Sequence, residues 1–368
     1  MILRRIAASF FLFLSLAGCA TMEILDLPSR RPAPRELPFE FSLQDYSGIF
    51  HVHSRYSHDS KGRFDEIVSA ARKAGADFVI VTDHNTLQGL RDKMDGFYDR
   101  TLVIVGEELS TKAGHLSVLG VDKEFDLNRE PSDILKETKE LGGLSFVAHG
   151  ESRRKPWSDW TAAPITGIEV YNLANDVYGD GKFWVTLKVL GLTPKHFFKS
   201  VLDRPDAYLQ RWDALLKHGT VVGIGAVDAH QKVRIFGRPL DSYDTMFKVV
   251  QTHAWAEELS EKAILEALDK GHVYIGFDLV KPARNFLFWA EKDKQKWMMG
   301  DTLEYDDQLK LKIYLPAEGE IRVLKDGELI YRNKADSAEV NPSGPGVYRV
   351  EVYYKKRLWI LSNPIYLE

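Results

Sequence analysis

The sequence contains a single cysteine, Cys19, which excludes disulfides within the chain and thiol catalysis in the folded body. It also lacks a strong charge of one sign: 49 Lys and Arg against 53 Asp and Glu give no general attraction to nucleic acid or to an anionic membrane. No Gly-x-Ser-x-Gly motif, which would indicate a serine nucleophile, is present. At 368 residues, the chain is long for a single core, so two domains are expected.

The N-terminus has the pattern of an export signal. Two arginines precede an apolar run over residues 6–16, which is too short for a permanent membrane-spanning helix. The run leads into Leu-Ala-Gly-Cys19, which resembles the lipobox of bacterial lipoproteins, where the cysteine is acylated and becomes the mature N-terminus. We therefore expect a signal peptide over residues 1–18, lipidation of Cys19 and a proline-rich tether over residues 19–46. An ordinary signal peptide with an incidental cysteine is the alternative. Either way, the protein is expected to be exported, and with the lipid it is a lipoprotein of the bacterial cell envelope.

Residues 47–284 alternate short β-like runs with amphipathic helical ones. The predicted strands span residues 48–53, 77–82, 101–106, 115–120, 144–148, 167–171, 221–227 and 272–276. Four predicted helices each end at a glycine: Gly75, Gly142, Gly219 and Gly271. Such alternation favours an α/β fold with a parallel sheet, open or closed into a barrel. In both cases the carboxyl ends of the strands are where a site is expected.

The pattern changes over residues 285–368. Apolar and polar side chains alternate over residues 309–315 and again over residues 348–354, which is typical of half-buried strands. The pair Asp326-Gly327 is a hairpin turn signal. We predict a small antiparallel β domain, a sandwich, with no catalytic group of its own.

Most of the histidines and several carboxylates follow the predicted strands. Six of the 11 histidines lie at or beside strand ends, and three acidic residues accompany them: His51, His53, His84, His115, His149, His230, Asp59, Glu108 and Asp228. A histidine that merely satisfies hydrogen bonds in a core has no reason to recur at these positions. Imidazole and carboxylate groups are ligands for divalent metals, so the sequence predicts a metal centre.

These motifs, in this order, resemble the PHP family, named for polymerase and histidinol phosphatase. The resemblance covers about residues 47–280 and implies a distorted (β/α)7 barrel that binds two or three Zn²⁺, Mn²⁺ or Fe ions. It implies that the first ion is held by His51, His53, Glu108 and Asp228. It implies that the second is held by Glu108, His115 and His149, and the third by Asp59, His84 and His230. The catalytic group is then a metal-bound water held by Glu108, His149 and Asp228.

For two ligand positions and for the role of Glu169, an alternative assignment remains. Glu107 competes with Glu108 as the bridging ligand, although the family spacing Gly-x-Glu favours Glu108. His58 competes with Asp59 at the third position. Glu169 is either a residue that orients a ligand or a partner in an ordinary strand-end salt bridge.

Hydrolysis of an anion fits this set of residues. Two or three divalent ions outweigh the charge of three carboxylates, so the site is net positive before the substrate arrives. Loops after the site strands carry cations that we predict to contact the substrate: Arg55, Arg153, Lys232 and Arg238. For each of these four residues, an equally good interpretation is that it is a solvated charge in a surface loop without contact to the substrate.

The predicted function is a metal-dependent phosphoesterase of the cell envelope, which acts on a small-molecule phosphate ester and not on a nucleic acid polymer. Export argues against the family's biosynthetic and polymerase-associated roles. A PHP-type carboxylester or carbamate hydrolase is the second hypothesis. A non-enzymatic binding lipoprotein with structural metals is the third.

Overall fold

The structure is a computed structural model that describes residues 37–38, 42–179, 194–232, 234–235, 238–239 and 241–368. The predicted signal peptide, Cys19 and most of the tether lie outside the described residues. Within the described part of the chain, no helix is long and apolar enough to span a membrane.

Eight helices and twenty strands make up the described chain. The helices are α1 (Phe64–Ala74), α2 (Gln88–Arg91), α3 (Pro131–Glu140), α4 (Leu173–Gly179), α5 (Pro194–Val201), α6 (Asp206–Leu216), α7 (Tyr243–Met246) and α8 (Glu261–Lys270). The strands of the first half are β1 (Gln44–Val52), β2 (Phe78–His84), β3 (Gly96–Tyr98), β4 (Thr101–Thr111), β5 (Gly114–Leu119), β6 (Leu144–Val147), β7 (Gly167–Asn172), β8 (Val222–Ala226), β9 (Arg234–Ile235), β10 (Arg238–Pro239), β11 (Gln251–Ala256) and β12 (Val273–Gly276). The remaining strands are β13 (Leu287–Lys292), β14 (Gln295–Met298), β15 (Thr302–Leu303), β16 (Lys310–Lys325), β17 (Glu328–Val340), β18 (Gly346–Tyr354), β19 (Arg357–Ser362) and β20 (Ile365–Leu367).

Seven strands form the barrel-like N-terminal domain. β1, β2 and β4 are parallel neighbours, β5 pairs antiparallel with both β4 and β6, and β6, β7 and β8 are again parallel. The end of β1 meets the segment after β8, where the backbone nitrogen of His53 donates to the carbonyl of Ala229 at 3.0 Å. The predicted α/β class is confirmed, and each of the seven strands lies where the sequence pattern predicted one.

The two faces of these strands bury different cores. Alternate residues such as Phe78 and Ile80 of β2 face inward and belong to one apolar cluster with Phe50 and Phe146. The ring centroids of Phe50 and Phe146 lie 5.4 Å apart, although β1 and β6 are not neighbouring strands. The residues between them, such as Val79, pack with α1, α3 and α6 on the outside. Because the period is two, His84 and Glu108 continue the inner rows at the carboxyl ends of β2 and β4.

Strands β13 to β20 form the C-terminal domain, which is antiparallel apart from the short β15–β20 pair. An antiparallel β domain is confirmed here, around its own apolar cluster. The domain is joined to the barrel by pairing of β19 with β12. Asn363 completes the joint: it accepts from the backbone nitrogen of Gly223 at 2.8 Å and donates to the carbonyls of Gly223 and Val273. The boundary between residues 284 and 285 stays a prediction.

One barrel neighbour was missed by the sequence analysis. β11 pairs antiparallel with β1 and β12, and all six of its residues are buried. A strand that is buried on both faces shows no alternation, and its Gln251, Thr252 and His253 break up the apolar run that would otherwise mark it.

Candidate metal centre

The nine residues predicted as ligands meet at one end of the barrel. They come from the ends of β1, β2, β4, β6 and β8, from the start of β5 and from the loop after β1: His51, His53, Asp59, His84, Glu108, His115, His149, Asp228 and His230. Three of them have a left-handed backbone, with φ of 65° at His51, 34° at His149 and 52° at Asp228. Such conformations strain a residue with a side chain and cluster at functional sites. Here they turn the chain at the strand end that carries the site.

The first group of donor atoms consists of Nε2 of His51, Nε2 of His53, Oε2 of Glu108 and Oδ1 of Asp228. The two nitrogens lie 3.0 Å apart, each lies 3.2 Å from the Glu108 oxygen, and they lie 3.7 and 3.5 Å from the Asp228 oxygen. Tetrahedral coordination with bonds of about 2.0–2.2 Å places ligand atoms about 3.3–3.6 Å apart. The four atoms therefore have the spacing of a coordination shell.

The other carboxylate oxygen of Glu108 serves a second group. Oε1 lies 2.7 Å from Nδ1 of His115 and 3.1 Å from Nε2 of His149. One carboxylate thus faces two groups of donors with separate oxygens, which is the arrangement of a bridging ligand.

Asp59 organises the third group. Its Oδ2 lies 3.2 Å from Nε2 of His230, and its Oδ1 lies 3.7 Å from Nε2 of His84. His84 also touches the first group, because its Nδ1 lies 3.0 Å from Oε2 of Glu108. His84 therefore stands between two groups, which the sequence-based grouping did not anticipate.

Three atoms that face the donor groups are buried without a hydrogen bond in the described structure: Asp59 Oδ1, His84 Nδ1 and Glu108 Oε2. An unsatisfied buried polar atom costs roughly 1–3 kcal/mol, so three in one place require an explanation. Metal coordination would satisfy the carboxylate oxygens. Nitrogen and oxygen donors in this number suit divalent ions, so the residues present fit the metals that the sequence pattern implied.

A second layer of contacts orients the imidazoles. Oε1 of Glu169 lies 2.5 Å from Nδ1 of His51, and Oγ of Ser57 lies 2.9 Å from Nδ1 of His53. The backbone carbonyl of Asp228 lies 3.1 Å from Nδ1 of His230. A proton held on Nδ1 leaves the Nε2 lone pair free to bind a metal. Of the two readings of Glu169, the geometry matches the orienting residue.

The charges of the centre favour cations. Burial alone would lower the pKa of His53, but the carboxylates of Asp228 and Glu108 close to its Nε2 outweigh it and raise the pKa to about 9. Burial opposes ionisation of Asp228, yet the charge on His51 holds the Asp228 pKa well below its usual range. Burial lowers the pKa of His84 to about 3 despite the nearby charge of Glu108. The carboxylates thus stay ionised and attract whatever positive charge is available.

The two residues of each alternative pair lie in different places. Glu108 faces the cluster, whereas Glu107 lies on the opposite face of β4, where burial and the charge of Glu124 raise its pKa to about 8. Asp59 contacts His230, whereas His58 is exposed, with its ring centroid 5.2 Å from that of His84.

The predicted substrate-binding cations differ in position. Nζ of Lys232 lies 3.2 Å from Oδ2 of Asp59, at the rim of the centre. Arg55 instead lies over the ring of Tyr56 and lines a groove beside α1. Arg153 is exposed, and the side chain of Arg238 lies outside the described residues.

The sequence analysis did not assign roles to Ser57 or Asn172, and from the basic run over residues 153–155 it singled out Arg153 as the substrate contact, not Lys155. Asn172 donates to Glu169 at 2.8 Å, and Nζ of Lys155 lies 3.3 Å from Nε2 of His115. Asn172 ends β7, so its place at a strand end was the available signal. Ser57 and Lys155 sit in loops, whose path no local pattern indicates.

Comparisons with known proteins found a family model and a curated protein that match this chain. A family model described as the PHP domain matches residues 50–275. The uncharacterized protein MJ1587 of Methanocaldococcus jannaschii is 27% identical over 142 residues, which cover 33% of this chain and 79% of that protein.

Two solved structures are similar to the chain. One is a two-domain protein of Bacteroides vulgatus containing a predicted PHP-like metal-dependent phosphoesterase, with a TM-score of 0.45 and 17% identity over 91% of this chain and 99% of that one. The other is an amidohydrolase of Chromobacterium violaceum with bound sulfate and no metal, with a TM-score of 0.34 and 14% identity over 50% of this chain and 87% of that one.

The family match extends over more than half of the 368 residues and includes all nine ligand positions. The chain therefore belongs to the PHP domain family and is a metal-dependent hydrolase.

Proposed function

We propose that this hydrolase is a phosphoesterase that acts at the bacterial cell envelope. The observation that carries the proposal is the division of Glu108 between two groups of donor atoms, with a third group beside them. Adjacent ions in such a site suit the oxygens of a phosphoryl group, which shares its charge over several oxygens. When bound, Zn²⁺, Mn²⁺ or Fe ions would supply Lewis acidity and lower the pKa of a water molecule toward neutrality.

The proposal gives residues around the centre three roles: surrounding the attacking water, orienting a ligand and binding the substrate. Glu108, His149 and Asp228 surround the place where the attacking water is expected, since their donor atoms belong to the first two groups. Glu169 holds His51 in the orientation that presents Nε2 to the centre. Lys232, at the rim beside Asp59, supplies a positive charge for a substrate oxygen.

The location rests on the N-terminal sequence alone. The apolar run over residues 6–16 and the Cys19 motif support export and lipid anchoring. Extracytoplasmic phosphate esters are then the substrates that the enzyme meets.

A substrate panel with measured metal content tests the proposed reaction. The full chain, purified in detergent and loaded with Mn²⁺ or Zn²⁺, is assayed with p-nitrophenyl phosphate, bis-p-nitrophenyl phosphate and p-nitrophenyl acetate. We expect turnover of a phosphate ester that Asp228→Asn abolishes, whereas Asp269→Asn on the exposed side of α8 leaves it unchanged. Turnover of the carboxylester alone, with metal demonstrably bound, would show that the enzyme is a carboxylester hydrolase.

A further inference from the structure

Lys155 reaches the metal centre from the loop that follows β6. Its Nζ lies 3.3 Å from Nε2 of His115, whose other ring nitrogen lies 2.7 Å from Oε1 of Glu108. An ammonium group only donates, so Nε2 accepts from Lys155 and the imidazole proton sits on Nδ1, facing the carboxylate. A cation is thus held on the outer nitrogen of a ring whose inner nitrogen belongs to the Glu108 group.

The loop that carries Lys155 is packed in place. Trp157 is buried at 3% exposure, and the backbone nitrogen of Ser158 donates to the carbonyl of Ala113 at 2.7 Å. A Cβ on Gly114 would lie 3.1 Å from the carbonyl oxygen of Pro156, so this glycine allows the loop to close on the turn between β4 and β5. The position of Lys155 beside His115 therefore follows from the folded loop.

Metal binding at Nδ1 of His115 would change the hydrogen bond of Lys155. A ligating nitrogen must be free of its proton, so with an ion at Nδ1 the proton of a neutral imidazole would sit on Nε2. That Nε2–H group would not accept a hydrogen bond, and the ion would repel the ammonium. Lys155 would then need another acceptor close to the centre, and an anionic oxygen of the substrate would provide one.

Lys232, like Lys155, has its ammonium group against a predicted metal ligand, here in the third group of donors. Its Nζ lies 3.2 Å from Oδ2 of Asp59, the atom that also lies 3.2 Å from Nε2 of His230. An ion coordinated by Asp59 and His230 would compete for that oxygen and would weaken its hydrogen bond with the Lys232 ammonium group. Lys155 follows β6 and Lys232 follows β8, so two ammonium groups approach the centre from different loops.

We propose that Lys155 and Lys232 both contact non-bridging oxygens of the substrate, and that they select phosphomonoesters over phosphodiesters. This rests on the proposed phosphoesterase function. A terminal phosphate has three non-bridging oxygens and carries about two negative charges at pH 8, so it can serve both ammonium groups together with the ions. A diester carries one charge on two such oxygens and leaves one ammonium without a partner.

Binding of a phosphate without ester groups and of a small phosphodiester tests the inference without an activity assay. Inorganic phosphate and dimethyl phosphate are titrated into the metal-loaded full chain by calorimetry at pH 8, with metal content measured on the same samples. We expect phosphate to bind at least about ten-fold more tightly than dimethyl phosphate. Lys155→Met and Lys232→Met should each weaken phosphate about ten-fold and dimethyl phosphate less than about three-fold, because each removes one charge-assisted hydrogen bond.

Two further variants complete the design. Lys155→Arg keeps the charge and should retain most of the preference, and Lys139→Met, an exposed lysine of α3, should behave as the wild type. Unchanged phosphate affinity in Lys155→Met and Lys232→Met, or equal binding of the two anions by the wild type, overturns the inference. Phosphate binding that depends on both lysines in a protein without phosphatase activity would support these contacts while refuting the proposed function.

Discussion

Glu169→Gln is the sharpest probe of the metal centre, because the change keeps the side-chain volume and alters one hydrogen bond. In the wild type, Oε1 of Glu169 faces Nδ1 of His51 at 2.5 Å, and Oε2 accepts from the backbone nitrogen of His149 at 2.7 Å and from Asn172 at 2.8 Å. A glutamine has only one oxygen, and the two donors on the Oε2 side require it there. The amide NH₂ must then face His51.

The tautomer of His51 follows from that orientation. An NH₂ group donates, so Nδ1 of His51 becomes an acceptor and its proton moves to Nε2. Nε2 is the atom that lies 3.2 Å from Glu108 and 3.7 Å from Asp228 in the first group of donors. The variant therefore loses the lone pair of one ligand, although the ligand itself is still present.

The expected loss is 10- to 100-fold in metal affinity, or about 1.4–2.7 kcal/mol, as is typical when the partner of a metal-ligating histidine is removed. Competition with a chelator at constant pH measures the affinity directly. Glu266→Gln, on the exposed part of α8, is the matched control and should bind metal as the wild type does. Metal affinity within two-fold of the wild type in Glu169→Gln would refute the assignment of Glu169 as the residue that sets the His51 tautomer.

Three further predictions address the domain joint, the pH dependence and the N-terminus. Asn363→Ala leaves one buried N–H and two carbonyls without partners, so we expect a loss of about 3 kcal/mol in the free energy of unfolding, measured with urea; a loss below about 1 kcal/mol would contradict the role of this joint. Burial would lower the pKa of His253, but the charge of Asp45 and a hydrogen bond with Asp278 raise it to about 9, above its unfolded value. The stabilisation by this ion pair is therefore complete below about pH 6.5 and lost as the pH rises through 9, so unfolding titrations from pH 6 to 9.5 should show a steeper decline in the wild type than in His253→Gln. Cys19→Ser should abolish incorporation of labelled palmitate in a bacterial host and release the protein from membranes, and continued labelling would exclude Cys19 as the acylation site.

The C-terminal domain illustrates the limit of local patterns. Alternation predicted β16 and β18, and the Asp326-Gly327 pair predicted the hairpin between β16 and β17, because side chains on one face of a half-buried strand must be apolar. The other five strands of the domain were not predicted. Its attachment through Asn363, and through Arg349, which donates to Asp213 of α6 at 2.8 and 2.9 Å, joins residues more than 130 positions apart. No local rule pairs such positions, so a domain that looked separable along the chain is hydrogen-bonded into the barrel.

The sequence by itself determined where the metal donors would meet. A strand presents alternate residues to one face, and the carboxyl ends of neighbouring parallel strands lie together, so His84 and Glu108 had to come close once β2 and β4 paired. The tertiary structure decided what surrounds them: Ser57 against His53, Glu169 against His51, and Lys155 against His115. These contacts come from loops and from strands distant in the chain, and their distances depend on how the whole chain packs, which no local periodicity records.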